Sequence, residues 1–288
     1  MAFYDVAIIG GGPAGLTAAA TLARQLHTAV VFDSHNYRNA KATQMHMVPG
    51  HEGKDPAEFR RESKEGILSH YSNIEFQDAE VTKVEKKSDS HFIITDGSGK
   101  AWNFRKLLLG IGSSNIYPAI EGYEELWAVR IFHCLFCKGY EERGAPSAGV
   151  LAVIPIALPT EMLVGLAIHA AENAAQLSER VTLYTHGNEA LTAGLNAIIK
   201  KEEWTVEPRP IRRLAEGEMS SVTVEFEDGS SNNEKFLVNQ PLTVAAGPFV
   251  AQLGLATTQL GDIQAEPPFT RPVYVGCSLL EIVSPHTR

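Results

Sequence analysis

Two thiols stand three residues apart in the string His133-Cys134-Leu135-Phe136-Cys137-Lys138-Gly139. Cysteines at that spacing close a small disulfide ring and open it again by exchange with an external thiol. A neighbouring cation lowers one thiol pKa and makes that sulfur nucleophilic, and His133 and Lys138 are the candidates. Two other readings stay open, a pair of buried structural cysteines and half of a zinc site. Zinc needs four ligands, and the chain has only three cysteines and no second pair at this spacing. No metal site is therefore expected. Cys277 is isolated and reads as a core or tail residue.

A second string carries chemistry near the N-terminus. Residues 5–20 read DVAIIGGGPAGLTAAA, in which Gly10-Gly11-Gly12-Pro13-Ala14-Gly15 fits the G-x-G-x-x-G pattern. The first glycine permits a tight turn, the second lets backbone approach a pyrophosphate, and the third lets helix pack on strand. The helix N-terminus that follows offers free N–H groups and the positive end of its dipole. The next apolar run ends in Asp33, whose carboxylate can accept both ribose hydroxyls of an adenosine and would repel a 2′-phosphate. The loop alone does not decide between FAD and NAD, and an ordinary glycine-rich turn is the bland alternative.

A matching loop is missing further along. After the apolar run 149–154 the chain reads Pro155-Ile156-Ala157-Leu158-Pro159-Thr160. It has no glycine, and its two prolines remove N–H donors. The following turn, Tyr184-Thr185-His186-Gly187-Asn188, lacks the arginines that a 2′-phosphate needs. Loss of NADPH binding is the favoured reading over a divergent loop that still binds it.

The elements that must position these groups follow from periodicity. Short apolar runs at 6–9, 28–32 and 106–111 predict buried strands, and an Ala-rich stretch at 16–26 predicts a helix. Asp55-Pro56 marks a helix start, and 73–84, 91–95 and 102–104 alternate as strands. In the second half, strands are predicted at 149–154 and 180–185, and helices at 160–177 and 188–201. A hairpin is predicted to pair 221–226 with 235–238 across Asp228-Gly229, and a last strand is predicted near Arg271–Gly276. The pattern is α/β, with two Rossmann-like domains, the second inserted in the first. The expected boundaries are 1–116 for the first part of one domain, 117–246 for the insert carrying the dithiol, and 247–288 for a short return segment.

Composition narrows the partners. Of 288 residues, 44% are hydrophobic and 20% charged, as in ordinary globular chains. A formal net charge of −9 argues against nucleic acid, which needs clustered Lys and Arg. The apolar runs are too short to span a bilayer, and no secretory leader or C-terminal targeting tripeptide is evident. A small-molecule substrate and a cytoplasmic, reducing setting are expected.

The order of glycine loop, dithiol within a second α/β unit and return to the first domain resembles the low-molecular-weight thioredoxin reductases over residues 3–266. The string 133–141, with Tyr37-Arg38-Asn39 and Met45-His46, is more similar to the fungal branch that includes the gliotoxin-type dithiol oxidases. The resemblance implies FAD held by Gly10 to Gly15 and Asp33. It places Arg38, Asn39 and His46 near the middle of the cofactor and the Val81 backbone near its adenine. It implies closure of a small-molecule dithiol to a disulfide in fungal secondary metabolism, with electrons passing through the cysteine pair and FAD to oxygen. Cys137 would face the flavin ring, and a homodimer is implied by the resemblance alone.

Two departures from the family pattern are visible. Lys138 stands where the reductases carry Asp and the oxidases typically His; a lysine relays a proton there only if its pKa is depressed. The segment Tyr274-Val275-Gly276-Cys277-Ser278 lacks the family's ribityl-binding Asp, and few residues follow it, so FAD is expected to be weakly bound or absent. Three further functions stay open: a non-redox cyclase or isomerase on the same scaffold, a silent binding protein, and a conventional NADPH reductase.

Overall fold

In the computed structural model, residues 3–258 and 260–264 and the backbone of 281–283 are described. The chain divides into two units. The first is assembled from Met1–Gln44, Gly53–Ser114 and Thr243–Arg288, and the second from Met45–Glu52 and Asn115–Leu242.

The first unit begins with β1 (Phe3–Ile9), which alternates between two cores. Val6 and Ile8 pack with Leu16, Ala19 and Val31, whereas Ala7 and Ile9 pack with Phe32, Phe104 and Leu107. A strand buried on both faces must be apolar throughout, which is why 6–9 reads as a solid run. Helix α1 (Pro13–Arg24) starts with proline at its first position, where no N–H is needed. Strand β2 (Ala29–Asp33) is buried along its whole length. Helix α2 (Pro56–His70) is capped by Asp55, whose carboxylate accepts the Ala57 N–H at 2.6 Å. Strands β3 (Ile74–Asp78), β4 (Val81–Ser88), β5 (His91–Asp96) and β6 (Ala101–Leu109) complete a sheet of order β3-β2-β1-β6-β5-β4. The strands from β3 to β6 in that order are parallel, and β5 and β4 extend them antiparallel.

The chain then runs through β7 (Ser113–Ile116), α3 (Tyr123–Leu126) and β8 (Ile131–Phe132) to the dithiol. Beyond it come β9 (Ala148–Leu151), α4 (Thr160–Ala174), β10 (Val181–Tyr184), α5 (Glu189–Ile198) and β11 (Trp204–Glu207). Next are β12 (Ile211–Glu216), β13 (Val222–Phe226), β14 (Ser231–Glu234) and β15 (Phe236–Val238). A parallel sheet of order β11-β10-β9-β15-β8 carries the second unit, beside a three-stranded antiparallel sheet β12-β13-β14. The chain returns through β16 (Leu242–Ala245), which pairs with β7, then α6 (Phe249–Leu253) and β17 (Glu281–Val283), antiparallel to β6.

The hairpin differs from the sequence expectation. Strand β13 pairs with β14, with Val222 opposite Glu234 and Glu225 opposite Ser231, not with 235–238. The apolar triplet of β15 lies instead between β9 and β8, fully buried. Burial in a parallel sheet outcompetes a hairpin that would leave one face of three apolar residues wet. The strand expected at Arg271–Gly276, the segment Tyr274–Ser278 and Cys277 lie outside the described residues. No helix among the described residues is long and apolar enough to cross a membrane.

Candidate functional site

The glycine turn lies between β1 and α1, at the carboxyl end of the parallel strands. Gly10 has φ +112°, and a Cβ there would lie 2.1 Å from the Gly110 carbonyl oxygen. A Cβ on Gly15 would stand 1.9 Å from the Gly10 carbonyl, so helix and strand could not approach as they do. A Cβ on Gly11 would fall 2.2 Å from Asp33 Oδ2, which places the carboxylate directly against the loop backbone. At Gly12 a Cβ would meet nothing within 4 Å. The loop is thus closed toward the protein and open on the side where the helix N–H groups emerge. No acidic residue occupies the first turn of α1.

Asp33 is 6% exposed. Its Oδ1 accepts the His35 N–H at 3.0 Å, and its Oδ2 accepts the Tyr37 hydroxyl. Arg38 Nη1 donates to Ser113 Oγ at 3.4 Å, and Asn39 Oδ1 accepts from Arg60 at 3.1 Å. Val81 opens β4 with its side chain buried. His46 groups with the second unit, where its Nδ1 lies 2.5 Å from Glu52 and its Nε2 3.6 Å from Glu141. The hydrogen bond from His46 holds the Glu52 carboxyl below its ordinary range.

In the second unit Cys134 and Cys137 form a disulfide. They sit on one helical turn: the N–H groups of Cys137 and Lys138 both donate to the Cys134 carbonyl at 3.1 Å. The Cys137 N–H also lies 3.1 Å from Cys134 Sγ. A donor aimed at that sulfur favours its thiolate once the bond opens, so Cys134 is the better-stabilised anion of the pair. Gly139 lets the turn pack closely, since a Cβ there would lie 2.4 Å from the Leu135 carbonyl and 2.8 Å from Leu177. The ends of the loop are fastened by Arg130 and Glu142, 2.7 Å apart and both largely buried.

His133 stacks on Trp127, with ring centroids 5.5 Å apart. Lys138 Nζ donates to the Ala128 carbonyl at 3.0 Å and lies 5.5 Å from the Phe132 ring. Leu135 is buried, whereas Phe136, between the two cysteines in sequence, is 69% exposed; Tyr140 is also exposed, with the Arg143 guanidinium 4.1 Å from its ring centroid. Among the described residues no group of three or more His, Cys, Asp or Glu side chains is arranged to hold a metal ion.

Sequence reasoning missed His35, Arg60, Glu52, Arg130 and Glu142, and took Glu141 only as the end of the string 133–141. His35 stands between Asp33 and Tyr37, Glu52 lies six residues from His46, and Glu141 and Glu142 lie at the end of the dithiol string; the pairing of His46 with Glu141 across 95 positions is a product of the fold.

A dinucleotide cradle on one Rossmann-like unit and a redox loop on another define a two-domain disulfide oxidoreductase. Residues 4–205 match the model of the pyridine nucleotide-disulphide oxidoreductase family. The chain belongs to that family, and within it to the thioredoxin-reductase-like flavoproteins; it is an enzyme of the flavin-dependent disulfide oxidoreductase type.

Three fungal relatives illustrate the likeness. The chain is 38% identical over 271 residues to the thioredoxin reductase sirT of Leptosphaeria maculans, covering 92% of this chain and 82% of that protein. It is 41% identical over 268 residues to the thioredoxin reductase tcpT of Claviceps purpurea, with coverage of 92% and 82%. It is 39% identical over 277 residues to the thioredoxin reductase aclD of Aspergillus oryzae, with coverage of 95% and 86%. Among solved structures, an oxidoreductase from Agrobacterium tumefaciens superposes with a TM-score of 0.81 at 29% identity, over 94% of this chain and 86% of the other.

The family implies FAD, and the residues present fit it. The cradle is bare backbone where a pyrophosphate would lie, and a carboxylate stands where a ribose would.

Proposed function

We propose that the enzyme oxidises a small-molecule dithiol to its disulfide, with the Cys134–Cys137 bond as the immediate oxidant and oxygen as the final acceptor. The observation that carries this is the redox turn itself: a disulfide with the exposed Phe136 between its cysteines in sequence and a backbone N–H aimed at Cys134 Sγ. A substrate thiolate attacks Cys134 Sγ, forming a mixed disulfide and releasing Cys137 as thiolate. The second substrate thiol, once deprotonated, attacks the substrate sulfur of that mixed disulfide. Cys134 leaves as a thiolate that the Cys137 N–H stabilises. The substrate has lost two electrons and two protons, and the cysteine pair has gained the electrons. FAD, when bound, supplies the two-electron relay that restores the cysteine disulfide and hands the pair to oxygen, with peroxide as the balancing product. Exposed Phe136 favours a substrate with an apolar body.

NADPH has no place in this scheme, and features of the second unit support leaving it out. The turn from Pro155 to Pro159 has no glycine, the first turn of α4 carries Glu161, and Pro159 supplies no side-chain cap. The cleft at the carboxyl end of β9 is lined mainly by apolar groups such as Ile154, Leu163, Leu166 and Val238. Asn239, also in its wall, has its amide nitrogen engaged by the carbonyls of Leu151 and Val153, at 2.6 and 3.1 Å. Arg209, near the turn after β10, is held by Glu207 and Asp228.

The test is aerobic turnover of a small dithiol by the purified yellow protein. Oxygen uptake should match disulfide formed, and Cys137→Ser should abolish turnover. NADPH should leave the flavin absorbance unchanged under anaerobic conditions, whereas dithiol should bleach it. Bleaching by NADPH, or turnover that survives Cys137→Ser, would overturn the reading.

A further inference from the structure

The carboxylate that closes the cradle is already engaged by the chain's own hydroxyl. Asp33 Oδ2 accepts from Tyr37, while Oδ1 accepts the His35 N–H. The tyrosine is held in place from outside the β1-α1-β2 motif. The Arg60 guanidinium, on α2, lies 3.7 Å from the centroid of its ring and also donates to Asn39 Oδ1 at 3.1 Å. His35 Nδ1 lies 3.5 Å from the phenol oxygen. Burial, reinforced by the Asp33 carboxylate, pushes the phenol's pKa well above its ordinary value, so the group remains a donor through the neutral range.

An adenosine ribose presents two hydroxyl donors to the same carboxylate. Each carboxylate oxygen keeps a second lone pair, but Asp33 is only 6% exposed, the Gly11 backbone lies against Oδ2 and the Tyr37 hydroxyl holds that same oxygen, so a ribose reaches it only by moving the phenol. We propose that Tyr37 is a tethered competitor for the cofactor's ribose: its hydroxyl keeps the buried Asp33 satisfied and must be displaced as the adenosine half of FAD docks. This rests on the reading of the cradle as the FAD site. A buried carboxylate oxygen left without a donor is costly, so the Tyr37 bond stabilises the unit. For the same reason the ribose gains only the difference between its own bond and the one it replaces. Tyr37 therefore raises stability without cofactor and lowers affinity for it, with Arg60 setting how readily the ring moves.

The experiment measures FAD binding to the cofactor-stripped full-length chain by quenching of flavin fluorescence, with ADP displacement as a second probe that reports on the adenosine half alone. Tyr37→Phe should bind both FAD and ADP about five- to tenfold tighter, the displaced share of a charge-assisted hydrogen bond. Its melting temperature should fall in the stripped form and stay near wild type when loaded. Unchanged or weaker binding of either probe would overturn the proposal, because a purely structural tyrosine predicts that result. If Tyr37→Phe does not fold, Arg60→Met keeps the hydroxyl but frees the ring, and should tighten FAD about two- to threefold; no gain there also overturns it. A wild-type chain that takes up no FAD would remove the cofactor reading and this inference together. Uptake by wild type with no gain in the variants removes the inference alone.

Discussion

The turn after β1 and the turn after β9 occupy the same place in two Rossmann-like units, yet they are built for different surroundings. The first is three glycines, a proline at the first helical position and no acidic residue in the first helical turn. The second is proline at both ends, apolar side chains between, and a glutamate in the first helical turn. Both support the strand–turn–helix path, so that path in general does not call for glycine; the close backbone contacts of the first turn do. What the first turn gains is bare backbone facing outward at Gly12 and contact too close for any Cβ at Gly10, Gly11 and Gly15. A helix N-terminus attracts an anion only when side chains leave it room and carry no opposing charge.

The contrast can be broken most severely at Gly15. Gly15→Val should abolish FAD retention and lower the melting temperature by about 10 °C or more, because backbone, not a flexible side chain, blocks the new Cβ. Calorimetry and the flavin spectrum of the purified variant check this; a yellow, stable protein would mean the cradle is looser than its contacts. Asp33→Asn should weaken FAD binding about ten- to a hundredfold while the fold persists, read by fluorescence titration.

The second unit should respond more mildly, and through charge. Arg209 holds the Glu207 carboxyl below its ordinary range by a hydrogen bond. A carboxylate with a depressed folded pKa contributes stability that is complete above its unfolded pKa. That contribution is lost as pH falls through the folded value, so the window opens below the ordinary Glu range of about 4.3. Melting curves of wild type and Glu207→Gln should differ by only about 1–2 °C at pH 7 and converge toward pH 3. Smallest of all, Ala157→Val in the exposed second turn should shift the melting temperature by less than about 1 °C and leave FAD affinity unchanged.

Those parts of the molecule that a local signal dictates were legible in the sequence. A solid apolar run stopping at glycine marked β1, and the proline at position 13 and the Ala-rich stretch marked α1. The cysteine spacing marked the redox turn. The rest depends on partners distant in sequence. Strand β14 is Ser-Asn-Asn-Glu and carries no apolar periodicity; it is a strand because β13 pairs with it, and Glu234 is buried because Tyr184 donates to it at 2.6 Å. Strand β15 is three residues long, too short to reveal that it joins a parallel sheet rather than a hairpin. His46 meeting Glu141, and Arg60 meeting Tyr37, depend on how α2 and the segment 45–52 come to lie in the fold. The Tyr37 contact with Asp33 spans only four residues, but an Asp followed by a Tyr has no motif to announce it.

Strand β4 is the outer edge of its sheet, and one of its open stretches is closed by a single glutamine: Gln252 accepts from the Val84 N–H at 2.8 Å and donates to the Thr82 carbonyl at 3.0 Å. The two partners are separated by about 170 positions of intervening chain. During synthesis the ribosome therefore delivers the edge long before its cover, and the whole of 115–242 emerges in between. The first 114 residues must wait as a sheet with a raw margin, a template for stray pairing, until the chain comes back with Phe249 to fill the core and Gln252 to seal it. Assembly of this half of the protein is thus ordered by the direction of translation, and a nascent chain stalled before residue 249 should be the species most prone to aggregate.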